Sequence, residues 1–209
     1  MLITDRSRLR GRTLEEVASL AVEGGVNVVQ LREKDLPTGD LSDLAATVHA
    51  VLRGRALLLI NDNLDIALTI GADGVHLPEH SLPAIDVRET AGNACIVGRA
   101  VHTTEAAVTA ETGGADYVQV GTIYETSSKP GMEPAGLGLI TAVRESIGIP
   151  VIAVGGIDAA NATDVIAAGA DGVAVIGAIM DTDDTAGAAN DLRTAVDAAY
   201  GRTAPTASS

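Results

Sequence analysis

The chain has 209 residues and almost no aromatic side chains, so its length and composition predict one α/β domain with an aliphatic core. The formal net charge of −14 excludes nucleic acid as a partner, because a protein that binds phosphate backbones needs a broad cationic surface. A lone cysteine, Cys95, cannot form an internal disulfide, and no apolar run reaches the roughly 18 residues of a membrane helix, so we expect a cytoplasmic protein without a membrane partner.

Short apolar runs alternate along the chain with longer segments of helical periodicity. The predicted strands cover residues 2–4, 26–31, 56–60, 74–77, 95–100, 117–120, 151–154 and 172–176. The predicted helices cover residues 13–25, 40–53, 64–70, 83–90, 104–112, 138–146, 161–168 and 185–199. These elements predict one domain over residues 1–200, and the composition of residues 201–209 predicts a disordered tail.

Three similar segments mark successive strand–helix units. "GADGVHL" at 71–77, "GADYVQV" at 114–120 and "GADGVAV" at 169–175 each end a helix at glycine and begin a strand after a short acidic turn. Eight such units with almost continuously apolar strands predict a single (β/α)8 TIM barrel, with its site at the C-terminal ends of the strands. An open doubly wound sheet is the alternative, but no GxGxxG turn follows the first strand.

Polar side chains occupy every second position at the end of the second predicted strand. Gln30, Arg32 and Lys34 would share one face of this extended segment, with Leu31 and Glu33 on the other. Cations that point into a barrel are costly unless they are compensated, so Arg32 and Lys34 predict an anionic ligand. The alternative is that neighbouring carboxylates, Glu33 among them, pair with both cations.

Candidate metal ligands follow the third and fourth strands. Asn61 and Asp62 stand where an apolar strand ends, and a carboxylate there suits Mg²⁺. The alternative for Asp62 is a helix cap, since Asn and Asp favour that position. After the fourth strand, Glu79 or His80 could join Asp62, and an imidazole also suits Zn²⁺ or acid–base chemistry.

A long loop rich in Gly and Pro, residues 121–138, follows the sixth strand and contains the second of the chain's two lysines. Thr126, Ser127, Ser128 and Lys129 combine hydroxyl groups with a point charge, which is a suitable set for binding phosphate. Long loops in compact barrels are often lids, so we expect this one to cover the site. The alternative is a flexible surface loop.

Glycines follow the seventh and eighth strands. Gly155, Gly156 and Gly177 lie where backbone N–H groups of many such barrels bind phosphate. The predicted mouth therefore carries two anion sites, a cationic one at strands 2, 3 and 6 and a backbone one at strands 7 and 8. The first loop has four arginines within residues 6–12, and we interpret it as a solvated basic loop.

These motifs resemble the thiamine phosphate synthase and TenI superfamily. The segments that carry the resemblance are "ITD", "VQLREKD", "LLINDNLDIALTIGADGVHLPE", "GTIYETSSKPG", "IPVIAVGGI" and "ADGVAVIGAI". No single motif is specific, but the combination of Q-x-R-x-K, I-N-D and T-x-[ST]-K at successive strand ends is. The resemblance implies a transferase of thiamine biosynthesis that acts on small phosphorylated substrates.

Thiamine phosphate synthases join hydroxymethylpyrimidine diphosphate to a thiazole phosphate, giving thiamine phosphate and diphosphate. The resemblance implies that Arg32, Lys34 and Lys129 are catalytic groups that neutralise the leaving diphosphate, while Gln30 and Asn61 bind the same substrate. The implied contacts of the thiazole phosphate are Thr126, Ser128, Gly156, Ile176 and Gly177. The implied cofactor is Mg²⁺, and its implied ligands are Asp62 and His80.

Three positions depart from the synthase pattern. His80 stands where these enzymes usually carry a second metal-binding aspartate, Ala100 replaces a serine that helps to bind diphosphate, and Glu125 replaces a proline. These segments look more like TenI proteins, some of which are thiazole tautomerases, although the tautomerase histidine falls at Thr122.

Three hypotheses therefore stand beside one another. The synthase is favoured by the Q-x-R-x-K and I-N-D motifs. The second is a tautomerase with His80, His102 or Glu125 as its base, and the third is a paralogue that binds thiazole or thiamine phosphate without turnover. Each is compatible with an assembly of identical subunits.

Overall fold

The computed structural model describes residues 1–201, which form a parallel barrel of eight strands paired in chain order. The first and last strands meet through a bridge between Leu2 and Val175, and the Ile3 amide donates to the Val175 carbonyl at 2.9 Å. These contacts close the sheet on itself. The prediction of a single (β/α)8 TIM barrel is confirmed.

The strands of the barrel are β1 (Leu2–Ile3), β2 (Val28–Leu31), β3 (Leu57–Asn61), β4 (Gly74–Leu77), β5 (Ile96–Val101), β6 (Tyr117–Val120), β7 (Val151–Val154) and β8 (Gly172–Ala174). The helices are α1 (Leu14–Glu23), α2 (Thr38–Leu52), α3 (Leu64–Ile70), α4 (Ala84–Ala91), α5 (Thr104–Thr112), α6 (Leu137–Ser146), α7 (Ala162–Ala167), α8 (Gly177–Met180) and α9 (Thr185–Ala199). Single 3-10 turns cover Arg6–Arg8 and Gly92–Ala94.

The predicted elements are all present, and the differences lie at their ends. The prediction that the last strand reaches residue 176 is wrong, because β8 ends at Ala174 and Ile176 already caps α8. Helix α8 is absent from the sequence prediction, since four residues are too few to show a helical period. The predicted tail lies outside the described residues except for Gly201, which forms a turn, and the domain over residues 1–200 stays a prediction.

Side-chain alternation along the strands decides which residues reach the site. In β2, Val29 and Leu31 are buried in the aliphatic core under the helices, while Gln30 between them points into the barrel. The same alternation brings His76 of β4 and Gln119 of β6 inside. These polar residues of the inner face therefore lie directly below any cavity at the C-terminal ends of the strands.

A capping box fixes the start of α1. Thr13 Oγ1 accepts from the Glu16 amide at 3.2 Å, and the Glu16 carboxylate accepts from the Thr13 amide at 2.8 Å. Such a cap stabilises a helix by about 1 kcal/mol and fixes the residue at which it begins. Among residues 1–201, no helix has the length and hydropathy needed to cross a bilayer.

Candidate active site

A cavity of about 750 Å³ opens at the C-terminal ends of the strands. All the residues that the sequence predicts for the site contribute to its wall. They are Gln30, Arg32, Lys34, Asn61, Asp62, His80, Thr126, Ser128, Lys129, Gly156, Ile176 and Gly177. The structure thus brings together residues from six different strand ends, while their individual roles stay predictions.

Three cations face this cavity without a carboxylate to neutralise them. Among residues 1–201, no ion pair within 4.0 Å involves Arg32, Lys34 or Lys129. Partial desolvation and the charge of Arg32 lower the pKa of Lys129, with a smaller contribution from Lys34 and opposition from Glu79. The alternative that neighbouring carboxylates pair with the cations at the end of β2 is therefore wrong, and the cavity is suited to an anion.

A buried hydrogen-bond relay fixes the chain that carries Arg32 and Lys34. The Thr4 hydroxyl donates to Glu33 Oε1 at 2.6 Å and accepts from the Arg32 amide at 2.9 Å. Glu33 Oε2 accepts from the Arg6 amide at 3.0 Å. Burial raises the pKa of Glu33, which the bonds from Thr4 and Arg6 only partly oppose. This relay ties the ends of β1 and β2 together and holds Arg32 on the cavity side.

The floor of the cavity is a polar network inside the barrel. Gln30 donates to Asn61 Oδ1 at 3.0 Å and accepts from Gln119 at 3.2 Å. Beside it, His76 Nδ1 lies 2.9 Å from the Tyr117 hydroxyl. Burial lowers the pKa of His76 to about 3, with smaller contributions from the cations near it, so the imidazole is neutral near pH 7.

His76 and Gln119 are functional candidates that the sequence prediction missed. Both line the cavity, and both are almost fully buried. Their signal is visible in the sequence, because each is a single polar residue inside an apolar strand, "GVHL" and "YVQV". Only the closed barrel shows that these positions point inward, where a polar side chain needs a partner.

Asp62 is not the cap of the helix that follows it. The N-cap of α3 is Asn63, whose side chain accepts from the Ile66 amide at 2.9 Å. Asp62 instead adopts a left-handed backbone conformation with φ of 59°, and Ser81 Oγ donates to its carboxylate. Non-glycine residues with positive φ are uncommon, and strained positions concentrate at functional sites. This observation favours the ligand interpretation of Asp62 over the capping one.

The β4–α4 loop, residues 78–83, places Ser81 and His80 differently. Ser81 contacts Asp62, whereas the His80 side chain is 95% exposed and its Nε2 lies 3.9 Å from Glu79 Oε2. Ser81 is therefore a neighbour of Asp62 that the sequence prediction missed. Arg99 holds this loop by donating to the Glu79 and Leu82 carbonyls at 2.8 and 2.6 Å.

Glycines at the ends of β7 and β8 allow a close approach of backbone to backbone. Gly156 has φ of +65°, and a Cβ there would collide with the Glu125 carbonyl oxygen. The glycine thus lets the β7 end pack under the loop that follows β6. Gly177 lines the cavity and begins α8, a single turn, while its role as a backbone donor stays a prediction.

The β6–α6 loop, residues 121–136, runs along the rim of the cavity. Thr126, Ser127, Ser128 and Lys129 all contribute to the wall, and the Ser128 amide donates to Thr126 Oγ1 at 3.3 Å. The residues from Ser127 to Ala135 are exposed. The loop therefore presents its hydroxyl groups and its ammonium group to the cavity from the solvent side.

The arginines of the first loop are not a solvated basic loop, so that prediction is wrong. Arg6 pairs with Asp35 at 2.8 Å, Arg8 with Asp181 at 2.5 Å, and Arg10 with an aspartate of the same α8–α9 segment. These ion pairs join the β1–α1 loop to the loops beside it. Such long-range pairing is invisible in a local charge pattern.

Ala100, which departs from the synthase pattern, and Thr122, which departs from the tautomerase pattern, both border the cavity. Ala100 and Thr122 line it without a charged group, and Thr122 is buried. His102 lies at the same wall, where its Nδ1 contacts the Gly121 carbonyl and its Nε2 lies 3.6 Å from Glu79. His102 is thus held between two protein partners.

Comparison with known proteins assigns this architecture to a family. The sequence model described as thiamine monophosphate synthase matches residues 1–179. A thiamine-phosphate synthase of Haloquadratum walsbyi is 42% identical over 202 residues, which cover 95% of this chain and 91% of that protein. A thiamine-phosphate synthase of Clostridium novyi is 44% identical over 193 residues, which cover 91% of this chain and 95% of that protein.

A solved structure shows the same barrel. Thiamine phosphate pyrophosphorylase from Pyrococcus furiosus superposes with a TM-score of 0.86 at 37% identity, over 95% of each chain. The chain therefore belongs to the thiamine monophosphate synthase family.

Proposed function

We propose that this protein joins hydroxymethylpyrimidine diphosphate to thiazole phosphate, giving thiamine phosphate and diphosphate. The observation that carries the proposal is the set of three cations, Arg32, Lys34 and Lys129, around one cavity without a carboxylate partner. The names of the relatives support the same activity. A cavity with uncompensated positive charge and a polar floor suits a substrate that carries a diphosphate and a heteroaromatic ring.

The chemistry needs charge neutralisation more than it needs a strong base. The C–O bond to the diphosphate breaks with its electron pair on oxygen, and the thiazole nitrogen forms the new bond to the pyrimidine methylene carbon. Arg32, Lys34 and Lys129 would stabilise the negative charge on the departing diphosphate. Gln30 and Asn61, already hydrogen-bonded to each other, would orient the same substrate from the floor. Such fixed groups need no reorganisation at the moment of reaction.

The second anion site would hold the thiazole phosphate. Thr126 and Ser128 offer hydroxyl groups on the β6–α6 loop, and Gly156, Ile176 and Gly177 offer backbone donors at the ends of β7 and β8. Both sets line the same cavity. The nucleophile would therefore approach from the β6 to β8 side and the leaving group would lie on the β2 to β3 side.

The residues around Asp62 fit Mg²⁺ when the ion is shared with the substrate. Among residues 1–201, no cluster of three or more His, Cys, Asp or Glu side chains is arranged to hold a metal. Mg²⁺ is commonly held by one or two carboxylates together with substrate phosphates, and the Asp62 carboxylate beside the Ser81 hydroxyl supplies such oxygen ligands. The bound ion would neutralise part of the charge on the diphosphate. His80 stays a predicted ligand, and its side chain is 95% exposed.

The metal assignment has a direct test in two aspartate variants. Ser81→Asp should raise the affinity for Mg²⁺ in the presence of diphosphate, because it adds a carboxylate next to Asp62. His80→Asp should change it by less than about twofold, because this side chain points to solvent. Isothermal titration with Mg²⁺ and inorganic diphosphate measures both without catalysis. If His80→Asp raised the affinity for Mg²⁺ more than Ser81→Asp, the second ligand would be assigned to position 80 instead.

The activity is tested by incubating the protein with both substrates and Mg²⁺ and measuring thiamine phosphate. No product at saturating substrate concentrations would contradict the proposal. The same preparation separates the alternatives, because a tautomerase changes the NMR spectrum of the thiazole carboxylate phosphate. A binding paralogue would show tight binding in a calorimeter and neither reaction.

A further inference from the structure

Arg8 lies where three loops of the barrel mouth meet. Its Nε donates to Asp5 at 3.0 Å, its Nη1 to Asp181 at 2.5 Å and its Nη2 to Ser127 Oγ at 3.1 Å. Asp5 belongs to the β1–α1 loop, Asp181 follows α8, and Ser127 belongs to the β6–α6 loop. One guanidinium therefore joins the first, sixth and last strand ends around the rim of the cavity.

Two carboxylates fix the orientation of this guanidinium. The Arg8 side chain is 18% exposed, and Asp5 and Asp181 contact two of its nitrogens. Partial burial raises the pKa of Asp5, but hydrogen bonds from Ser7 and Arg8 lower it, and the net shift is downward. Asp5 is thus charged at neutral pH. Because Asp5 and Asp181 already hold Nε and Nη1 of the planar guanidinium, Nη2 can donate to Ser127 with little further loss of conformational freedom.

The other hydrogen bonds that anchor the β6–α6 loop lie at its base. The Ala135 and Gly136 amides donate to the Thr122 and Ile123 carbonyls at 2.8 and 3.1 Å, and the Ile123 and Tyr124 amides donate to the Val154 and Gly155 carbonyls, both at 3.0 Å. Within residues 1–201, Arg8 is the one residue outside the loop that hydrogen-bonds to residues 125–134. This segment carries Lys129, one of the three cations of the cavity.

From this geometry we propose that Arg8 is a positioning residue that latches the β6–α6 loop over the cavity through Ser127. The latch keeps Lys129 beside Arg32 and Lys34 before a substrate arrives. Loss of the latch increases the fraction of open loop, so substrates bind less tightly, while a bound substrate still draws the loop closed. The role of Lys129 rests on the proposed function, but the latch itself does not.

The sharpest variant is Ser127→Ala, because it removes only the acceptor on the loop and leaves the ion pairs of Arg8 intact. In hydrogen–deuterium exchange without substrate, amides of residues 125–134 should exchange about fivefold faster than in the unchanged protein. Amides of the barrel strands should be unaffected. Arg8→Gln should give the same local increase, and the double variant should add nothing to it.

The exchange experiment contains no substrate and therefore separates a latch from a direct contact with substrate, whereas the kinetics report the consequence of a more open loop. Ser127→Ala should raise KM for both phosphorylated substrates about fivefold and change kcat by less than twofold, because saturation closes the loop. The matched control is Arg10→Gln in the same β1–α1 loop, whose side chain is 51% exposed and whose partners are the Asp183 carboxylate and the Asp181 carbonyl. It should leave both the exchange and KM unchanged.

Two results would overturn the latch. One is unchanged exchange of residues 125–134 in Ser127→Ala and in Arg8→Gln. The other is additivity of the two substitutions in exchange, which would mean that each acts independently. If the protein without substitutions shows no synthase activity, only the proposed function is contradicted. The latch would still stand, because the exchange experiment needs no turnover.

Discussion

The two lysines of the chain line one cavity, but the backbone segments that carry them are held in place differently. Lys34 directly follows Glu33, which is buried and anchored to the end of β1 by Thr4 and Arg6. Lys129 lies in an exposed loop whose middle, residues 125–134, is hydrogen-bonded to the rest of the described chain through Arg8 alone. The strand-borne half of the site is therefore preorganised by buried hydrogen bonds, and the loop-borne half by a surface contact.

This difference fits a site that must both hold charge in place and admit large substrates. Buried hydrogen bonds are expensive to break, so the β2 side keeps its geometry whether or not a ligand is present. A loop with exposed backbone and few buried contacts belongs to the least stable part of a fold and can move on its own. We infer that binding starts on the β2 side and that the loop completes the cationic set.

The largest expected effect comes from removing the charges themselves. Lys34→Ala and Lys129→Ala should each lower kcat/KM on the order of 100-fold, because each removes charge stabilisation from the leaving diphosphate. Neither lysine has an ion pair in the described chain, so the free energy of unfolding should change by less than about 0.5 kcal/mol. Steady-state kinetics and urea unfolding measure the two quantities. Equal relative losses of activity and stability would make the lysines structural.

The buried hydrogen bonds that hold the end of β2 should contribute measurably to the free energy of unfolding. Thr4→Val leaves the Glu33 carboxylate without one donor and the Arg32 amide without its acceptor, both in a buried place. The free energy of unfolding should fall by about 2 kcal/mol. Thr47→Val is the matched control, because that hydroxyl is exposed on α2, and it should cost less than about 0.5 kcal/mol. Equal costs in urea unfolding would mean that the relay does not stabilise the β2 end.

Lysine-to-arginine variants test the same difference between the β2 end and the β6–α6 loop, because they keep the positive charge but replace the ammonium group by a planar guanidinium group. Lys34→Arg should lower kcat/KM about tenfold, because the anchored β2 end cannot shift to accommodate the longer, planar guanidinium. Lys129→Arg should lower it only about threefold, because the loop can adjust. The reverse order would show that the β6–α6 loop is the more rigid support.

The smallest expected effect is a pH dependence from the strand-borne floor. The pKa of His76 is about 3 in the folded protein and near 6.5 in the unfolded chain, so the unfolded chain takes up the proton first as the pH falls. Stability is therefore lost below pH 6.5, by about 1 kcal/mol between pH 6.5 and 5.5. His76→Asn should remove this part of the slope in urea unfolding at a series of pH values. An unchanged slope would mean that the imidazole is not buried in its neutral form.

Much of the cationic site could be predicted from the sequence because its residues follow strands at regular spacing. Gln30, Arg32 and Lys34 keep the period of two of β2, and alternation alone places them on the side opposite Leu31 and Glu33. The resemblance then assigns them to one ligand. Ser81 could not be found in this way, because its contact with Asp62 joins two loops that follow different strands.

Periodicity and turn chemistry are local properties of the chain, so they were enough to predict the order of the elements, the barrel and the residues at the strand ends. Which side chains contact one another depends on the tertiary fold. Ser127 and Arg8 are 119 positions apart, and the buried pair of His76 and Tyr117 is 41 positions apart. Such contacts depend on closure of the sheet, which brings β1 beside β8 and all the strand ends to one rim.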